Sequence, residues 1–258
     1  MSVLKFLPES WRIRLRHRLL QRLSAVDRPQ EWQWTFNGDG LATIHNTDFL
    51  REAAFERAYE RGMDTGSWKG GQPRFRVYTA CWAALHTRHV PGDYVECGVN
   101  RGGMARAQME LLDFGNSSKC YWLVDTYRGF PEEQKALVSP GLPVDSYSEC
   151  YRDVLKTFAP FPNARVVRGV VPEVLPEVKA SQICYLSLDM NCAEPELAAL
   201  RFFWPRLSPG ALVLMDDYAY NGFERQKKAL DEFAREQNIE ILGLATGQGL
   251  IIKNGQSS

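Results

Sequence analysis

From Pro91 to Lys253 short apolar runs alternate with longer amphipathic segments, and this alternation constrains the chain more than any other feature. Residues 94–97, 121–124, 164–168, 183–188 and 211–215 read as strands. Residues 102–114, 147–158, 195–204 and 225–237 read as helices, and Pro195 suits a first helical turn. Strands that alternate with helices predict a mainly parallel sheet with helices on both faces. Two last strands are expected at 239–242 and 250–253, about eight residues apart with Gly247 and Gly249 between them, too few for a helical crossover. The last strand should therefore run antiparallel to its predecessor. The expectation is an α/β fold with seven strands.

Upstream the pattern differs. Trp11, Leu15, Leu19 and Leu23 recur at a spacing of four with arginines between them, which predicts a basic amphipathic helix over 11–23. Residues 24–47 look irregular. Asn46 or Thr47 is placed to cap a helix over 48–61, a glycine-rich break follows at 62–71, and a second helix is expected over 75–89. The chain is thus divided into an N-terminal helical extension, 1–74, and a main domain, 75–258. Lys+Arg and Asp+Glu both number 31, yet residues 1–30 carry +5 and the remainder −5. The N-terminal helix either packs on the body or a second subunit, or makes a weak contact with an anionic membrane surface.

Neutral net charge argues against a nucleic-acid-binding surface. No apolar run approaches the ~20 residues of a bilayer span, and arginines interrupt any signal-peptide core. The six cysteines form no C-x-x-C pair, and three lie in apolar strand-like runs, which fits structural thiols in a reducing cytoplasm.

Ligands in open α/β sheets bind beyond the carboxyl ends of the strands. The first such end reads Glu96-Cys97-Gly98-Val99-Asn100-Arg101-Gly102-Gly103, which is not the dinucleotide pattern G-x-G-x-x-G. A carboxylate at Glu96 suits a cationic amino group, and Asp125, ending the second strand, is placed to accept hydrogen bonds from two ribose hydroxyls. Together they point to S-adenosylmethionine. A nicotinamide oxidoreductase on a similar sheet is disfavoured by the same residues.

These segments, with Asp125-Thr126-Tyr127-Arg128-Gly129-Phe130-Pro131, Leu188-Asp189 and Asp216-Asp217-Tyr218, resemble the motifs of the macrocin O-methyltransferase (TylF/MycF) family. The resemblance runs from about Phe75 to Lys253. It implies a Rossmann-like class I methyltransferase fold, methyl transfer to a hydroxyl of a sugar or other small metabolite, a divalent cation such as Mg2+, and a homo-oligomer. By the resemblance Glu96, Gly98 and Gly102 line the methionine part of the cofactor and Asp125 holds the ribose. Arg168, Gly169 and Val170 stand where such folds approach the adenine. Arg101 either faces the cofactor carboxylate or is exposed.

Asp189 and Asp216 end two strands, so their carboxylates can converge on one hard cation. Asp217 can join them only if the chain leaves strand geometry, because adjacent strand residues point to opposite faces. The family commonly reads D-G-D where this chain reads Asp189-Met190-Asn191. Asn191 cannot act as a carboxylate base. Either the base lies elsewhere, with Asp217 the nearest spare acid, or Asn191 only positions the acceptor. The rival expectation is a protein that binds the cofactor without turnover. Loops over 129–146 and 218–223 are expected to shape the acceptor site.

Overall fold

The computed structural model describes residues 33–68, 70–138, 142 and 144–255. The amphipathic helix expected at 11–23 lies outside them. Contacts group the described residues into two units, 33–37 with 42–47, and 38–41 with the chain from Asp48 onward. In the smaller unit the Thr35 hydroxyl donates to the Thr43 carbonyl (3.0 Å). Strands Phe36–Gly38 and Leu41–Thr43 form a two-stranded hairpin. Its turn residues Asp39 and Gly40, both at positive φ, count with the larger unit.

The larger unit contains, in chain order, α1 (Ala53–Met63), α2 (Arg74–His86), β1 (Asp93–Cys97), α3 (Gly103–Leu111), β2 (Tyr121–Asp125), α4 (Glu132–Lys135), α5 (Tyr151–Phe158), β3 (Ala164–Arg168), β4 (Ile183–Leu188), α6 (Ala193–Phe203), β5 (Leu207–Met215), α7 (Glu224–Gln237), β6 (Leu242–Gly243) and β7 (Gly249–Ile252). The sheet order is β3-β2-β1-β4-β5-β7-β6. The first five strands are mutually parallel, and β7 is antiparallel to both of its neighbours. The expected seven-stranded sheet with an antiparallel last strand is observed. Among the described residues no helix is long and apolar enough to cross a membrane.

Side-chain alternation assigns the two faces. Along β1, Val95 and Cys97 join a core with Ala199, Leu200 and Phe203 of α6 and Leu230 and Phe233 of α7. Tyr94 points the other way, and its hydroxyl donates to the Ala84 carbonyl in α2 (2.9 Å). Every residue of β4 is buried, as expected for a central parallel strand covered on both faces. The six cysteines are free thiols, five of them buried.

Three boundaries differ from expectation, each for a local reason. Glu52 adopts an extended backbone (φ −60°, ψ 130°), so residues 48–51 form a separate 3-10 turn and α1 starts at Ala53. The Thr47 hydroxyl donates to the Thr35 carbonyl (3.4 Å). Helix α5 starts at Tyr151, not 147, because Cys150 N–H is tied to the Tyr127 carbonyl (2.8 Å). Asn238 closes α7 in the left-handed region (φ 50°), after which Ile239 and Ile241 turn onto the core, leaving only Leu242–Gly243 as β6.

The two central strands meet at Gly98. Its φ is +94°, and a Cβ there would lie 1.9 Å from the Asp189 carbonyl oxygen. Only glycine tolerates both conditions. Gly98→Ala should therefore force the ends of β1 and β4 apart and destabilise the fold by at least about 2 kcal/mol. The urea midpoint measures this, and an unchanged midpoint would mean that the strand ends separate freely.

Candidate active site

A cavity of about 590 Å³ opens across the carboxyl ends of β1, β2, β4 and β5. Glu96, Gly98, Val99, Asn100, Arg101 and Gly103 form one wall; Asp125, Thr126, Tyr127, Gly169 and Val171 form the next. Asp39, Arg76, Asp189, Asn191, Asp216, Asp217 and Tyr220 form the far end. The wall near α3 is shaped by the 64–73 loop. The Ser67 hydroxyl accepts Gly103 N–H (2.9 Å), and a Cβ on Gly103 would fall 2.8 Å from the Trp68 ring.

Glu96 is only 2% exposed. Its Oε2 is bonded to the Tyr121 hydroxyl (3.0 Å), and that same hydroxyl is bonded to Gln108 Oε1. Gln108 Nε2 in turn donates to the Tyr185 hydroxyl (2.8 Å). One phenolic proton cannot serve two acceptors at once. The network closes if Glu96 is protonated and donates to Tyr121, which then donates to Gln108. Burial pushes the Glu96 carboxyl up to about 8, with Asp216 and Asp125 adding to the rise and Tyr121, where it donates to Glu96, pulling it down.

Asp125 accepts the backbone N–H of Asn100 (2.7 Å) and of Tyr127 (2.6 Å). It thereby stitches the β1 loop to the β2 loop. Burial raises its pKa above the ordinary value against these bonds. Thr126 Oγ1 also donates to Oδ1 (3.3 Å), so of a carboxylate's roughly four acceptor positions about one remains for a hydroxyl.

At the far end, one oxygen from each of Asp189, Asp216 and Asp217 lies within 4.8 Å of the others. The chain turns immediately after Met215, which frees Asp217 from strand geometry. The three acids are not equivalent. Asp216 accepts Arg76 Nη1 on one oxygen and Gln248 Nε2 on the other (2.8 Å). Asp189 accepts only a long contact from Asn191 Nδ2 (3.3 Å) among the side-chain bonds of the described residues. Asp217 is 5% exposed, and its Oδ2 has no hydrogen-bond partner among them. Burial, followed by the neighbouring acid charges, drives the pKa of both Asp189 and Asp217 well above the ordinary value.

Of the residues singled out from sequence, the cavity brings together Glu96, Gly98, Arg101, Asp125, Gly169, Asp189, Asn191, Asp216 and Asp217. Arg101 also pairs with Asp153 (3.4 Å). Two do not line it. Gly102 stands at the start of α3 with φ +87°, where a Cβ would meet the Phe158 ring at 2.5 Å, so it serves the backbone. Arg168 is corrected: its guanidinium is drawn outward to Glu149 (2.6 Å) and lies over the Tyr151 ring (4.8 Å).

Sequence reading missed Asp39, Arg76, Tyr147 and Gln248. They come from a hairpin turn, a helix, a long loop and the last strand connection, with no motif to mark them. Tyr147 packs edge-on against Phe130 (5.2 Å between centroids) and lines the cavity. Burial, then Asp189 and Asp217, push its hydroxyl up to about 12, so it is a hydrogen-bond donor near neutral pH.

Comparison with known proteins agrees with this geometry. The family model described as Macrocin-O-methyltransferase (TylF) matches residues 42–242. Mycinamicin III 3''-O-methyltransferase of Micromonospora griseorubida is 26% identical over 193 residues, covering 67% of this chain and 75% of that protein. Demethyldecarbamoylnovobiocin O-methyltransferase of Streptomyces niveus is 26% identical over 182 residues, covering 66% and 68% respectively. The solved O-methyltransferase NovP superposes with a TM-score of 0.57 at 22% identity, over 70% of this chain and 80% of that one, which shows the shared fold.

The Glu96 carboxyl gives a pH signature. With a folded pKa of about 8 against an ordinary 4.5, the folded state retains a proton that the unfolded chain has lost. Its stabilisation is complete below the lower value and is lost as pH rises through the upper one. In urea unfolding between about pH 5 and 9, Glu96→Gln should show a flatter loss of stability than the wild type. Equal slopes would mean that Glu96 is not held neutral.

Proposed function

The chain belongs to the macrocin O-methyltransferase family, and from that premise we propose that it methylates a sugar hydroxyl of a small metabolite with a divalent cation at Asp189, Asp216 and Asp217. The enzyme class itself, an S-adenosylmethionine-dependent O-methyltransferase, follows from family membership. The single observation that carries the proposal is the acid cluster facing Glu96 and Asp125 across one cavity. The relatives' names support the acceptor class, since one acts on mycinamicin III and another on demethyldecarbamoylnovobiocin.

Both groups fit the residues. For the cofactor, Gly98 and Gly103 bring backbone to the cavity surface, Glu96 offers a buried carboxyl to an ammonium, and Asp125 offers an acceptor to a ribose hydroxyl. For the ion, the Asp217 Oδ2 atom is buried and unpartnered among the described residues, and oxygen donors are the set a hard cation takes. When bound, the cofactor supplies an electrophilic sulfonium methyl and the cation lowers the pKa of an acceptor hydroxyl.

The chain's own residues orient and exclude. Glu96 ionises when it meets a cationic amino group, passing its proton to solvent. Tyr147 offers its phenolic proton toward the space between Asp125 and the acid cluster. Asn191, tied to Asp189 Oδ1, positions without taking a proton. Asp217 carries the nearest unpaired carboxylate oxygen and is assigned as general base or ligand. Phe130 and Tyr220 wall the cavity and keep water from the reacting atoms.

Three outcomes test this. S-adenosylhomocysteine should bind by calorimetry with release of a proton below about pH 8, read from the dependence of the heat on buffer ionisation; absence of binding at millimolar ligand sinks the cofactor assignment. With S-adenosylmethionine labelled in its methyl group, a panel of deoxysugar glycosides, mycinamicin III among them, should yield a labelled O-methyl product. Cofactor binding with no turnover on any hydroxylated acceptor would favour the non-catalytic rival. EDTA and Asp217→Ala should each reduce turnover by at least about 100-fold, and full activity in EDTA would remove the ion from the proposal.

A further inference from the structure

Arg76 was not marked by any motif, yet it is the most heavily engaged cation in the cavity. It stands in the first turn of α2 with its side chain 19% exposed. Nε and Nη2 form a fork on Asp39 (2.7 and 3.1 Å), and Nη1 donates to Asp216 Oδ2. The Tyr220 ring lies 5.5 Å from the guanidinium carbon. Gln248 holds the other Asp216 oxygen. Asp216 is therefore saturated by protein donors, while Asp217 Oδ2 is bare and Asp189 is only weakly held.

We propose that Arg76 is a positioning residue of the ion site: it acts as the resident counter-cation of Asp216, so that a divalent ion binds through Asp189 and Asp217 and competes with the guanidinium for the third carboxylate. The inference rests on the ion reading given above. Its physical basis is charge and geometry. When all three carboxylates ionise around a bound cation they carry three negative charges, of which Arg76 offsets one, leaving two for a divalent ion. A fixed positive charge beside the cluster opposes a second one, and in a buried site that repulsion is poorly screened. Because the same guanidinium grips Asp39, any ion that displaces it from Asp216 also alters the hold on the hairpin turn that walls the cavity. Arg76 thus sets both the affinity of the ion and the placement of Asp39.

Titration of the full chain with Mn2+ by calorimetry tests this without the acceptor. Arg76→Met removes the charge at similar length and should bind Mn2+ at least tenfold more tightly than the wild type. Arg76→Lys keeps the charge and should stay within about threefold of the wild type. Thermal melting with and without Mn2+ reports folding, and Arg76→Met should be destabilised in EDTA and rescued by the ion. Should Arg76→Met not fold, Asp216→Asn and Asp217→Asn give an independent reading. The first leaves the guanidinium charge uncompensated and should weaken Mn2+ binding, but by at least threefold less than the second, which removes an ion ligand. Equal losses from the two aspartates, or Mn2+ binding by Arg76→Met that is unchanged or weaker, would overturn the role of Arg76 while leaving the ion site standing. No binding of millimolar Mn2+ by either the wild type or Arg76→Met would overturn both. Binding by Arg76→Met alone would support the competition in its strongest form.

Discussion

The cavity depends on one close approach, that of the ends of β1 and β4 at Gly98. These two strands are adjacent in the sheet although α3, β2, α4, α5 and β3 intervene in sequence, so the loops that leave them diverge to opposite sides and open a crevice. A Cβ at Gly98 would collide with the Asp189 backbone. Its absence lets Asp189, which starts the acid cluster, line the same cavity as Glu96. The two halves of the site share a wall because two backbones touch there.

That arrangement gathers more carboxylates than a buried space ordinarily holds, and the structure handles each differently. Glu96 is pushed toward its neutral form by burial and by the charges of Asp216 and Asp125, while Tyr121 hydrogen-bonds it. Asp125 is held by backbone N–H groups from two loops. Asp216 is neutralised by Arg76. Asp189 and Asp217 are left with little, and their raised pKa values express that deficit. A buried acid without a partner is costly, and such a group marks a place where a ligand completes the structure.

Much of this was legible in the sequence. The strand–helix alternation foretells the sheet, and the short link between β6 and β7 foretells the antiparallel last strand. The glycine-rich end of β1 and the acids ending β2, β4 and β5 foretell where the cavity opens, because strand ends in a parallel sheet all reach the same edge. Boundaries were less legible, since Glu52, Cys150 and Asn238 end or delay helices through backbone conformations and hydrogen bonds to distant residues. Arg168 looked like a cavity residue by position, but Glu149, nineteen positions away in sequence, draws it outward.

The sequence by itself determined the order of strands and helices, the family motifs and the acids at the strand ends, because these follow from local periodicity and from residues close together along the chain. The tertiary structure alone decided which acids are satisfied. Arg76, itself gripped by Asp39, and Gln248 reach Asp216 across 140 and 32 positions of sequence, and no local pattern encodes such a meeting. Charge pairing in a buried site is a property of packed surfaces, and packing is settled only when the whole sheet has formed.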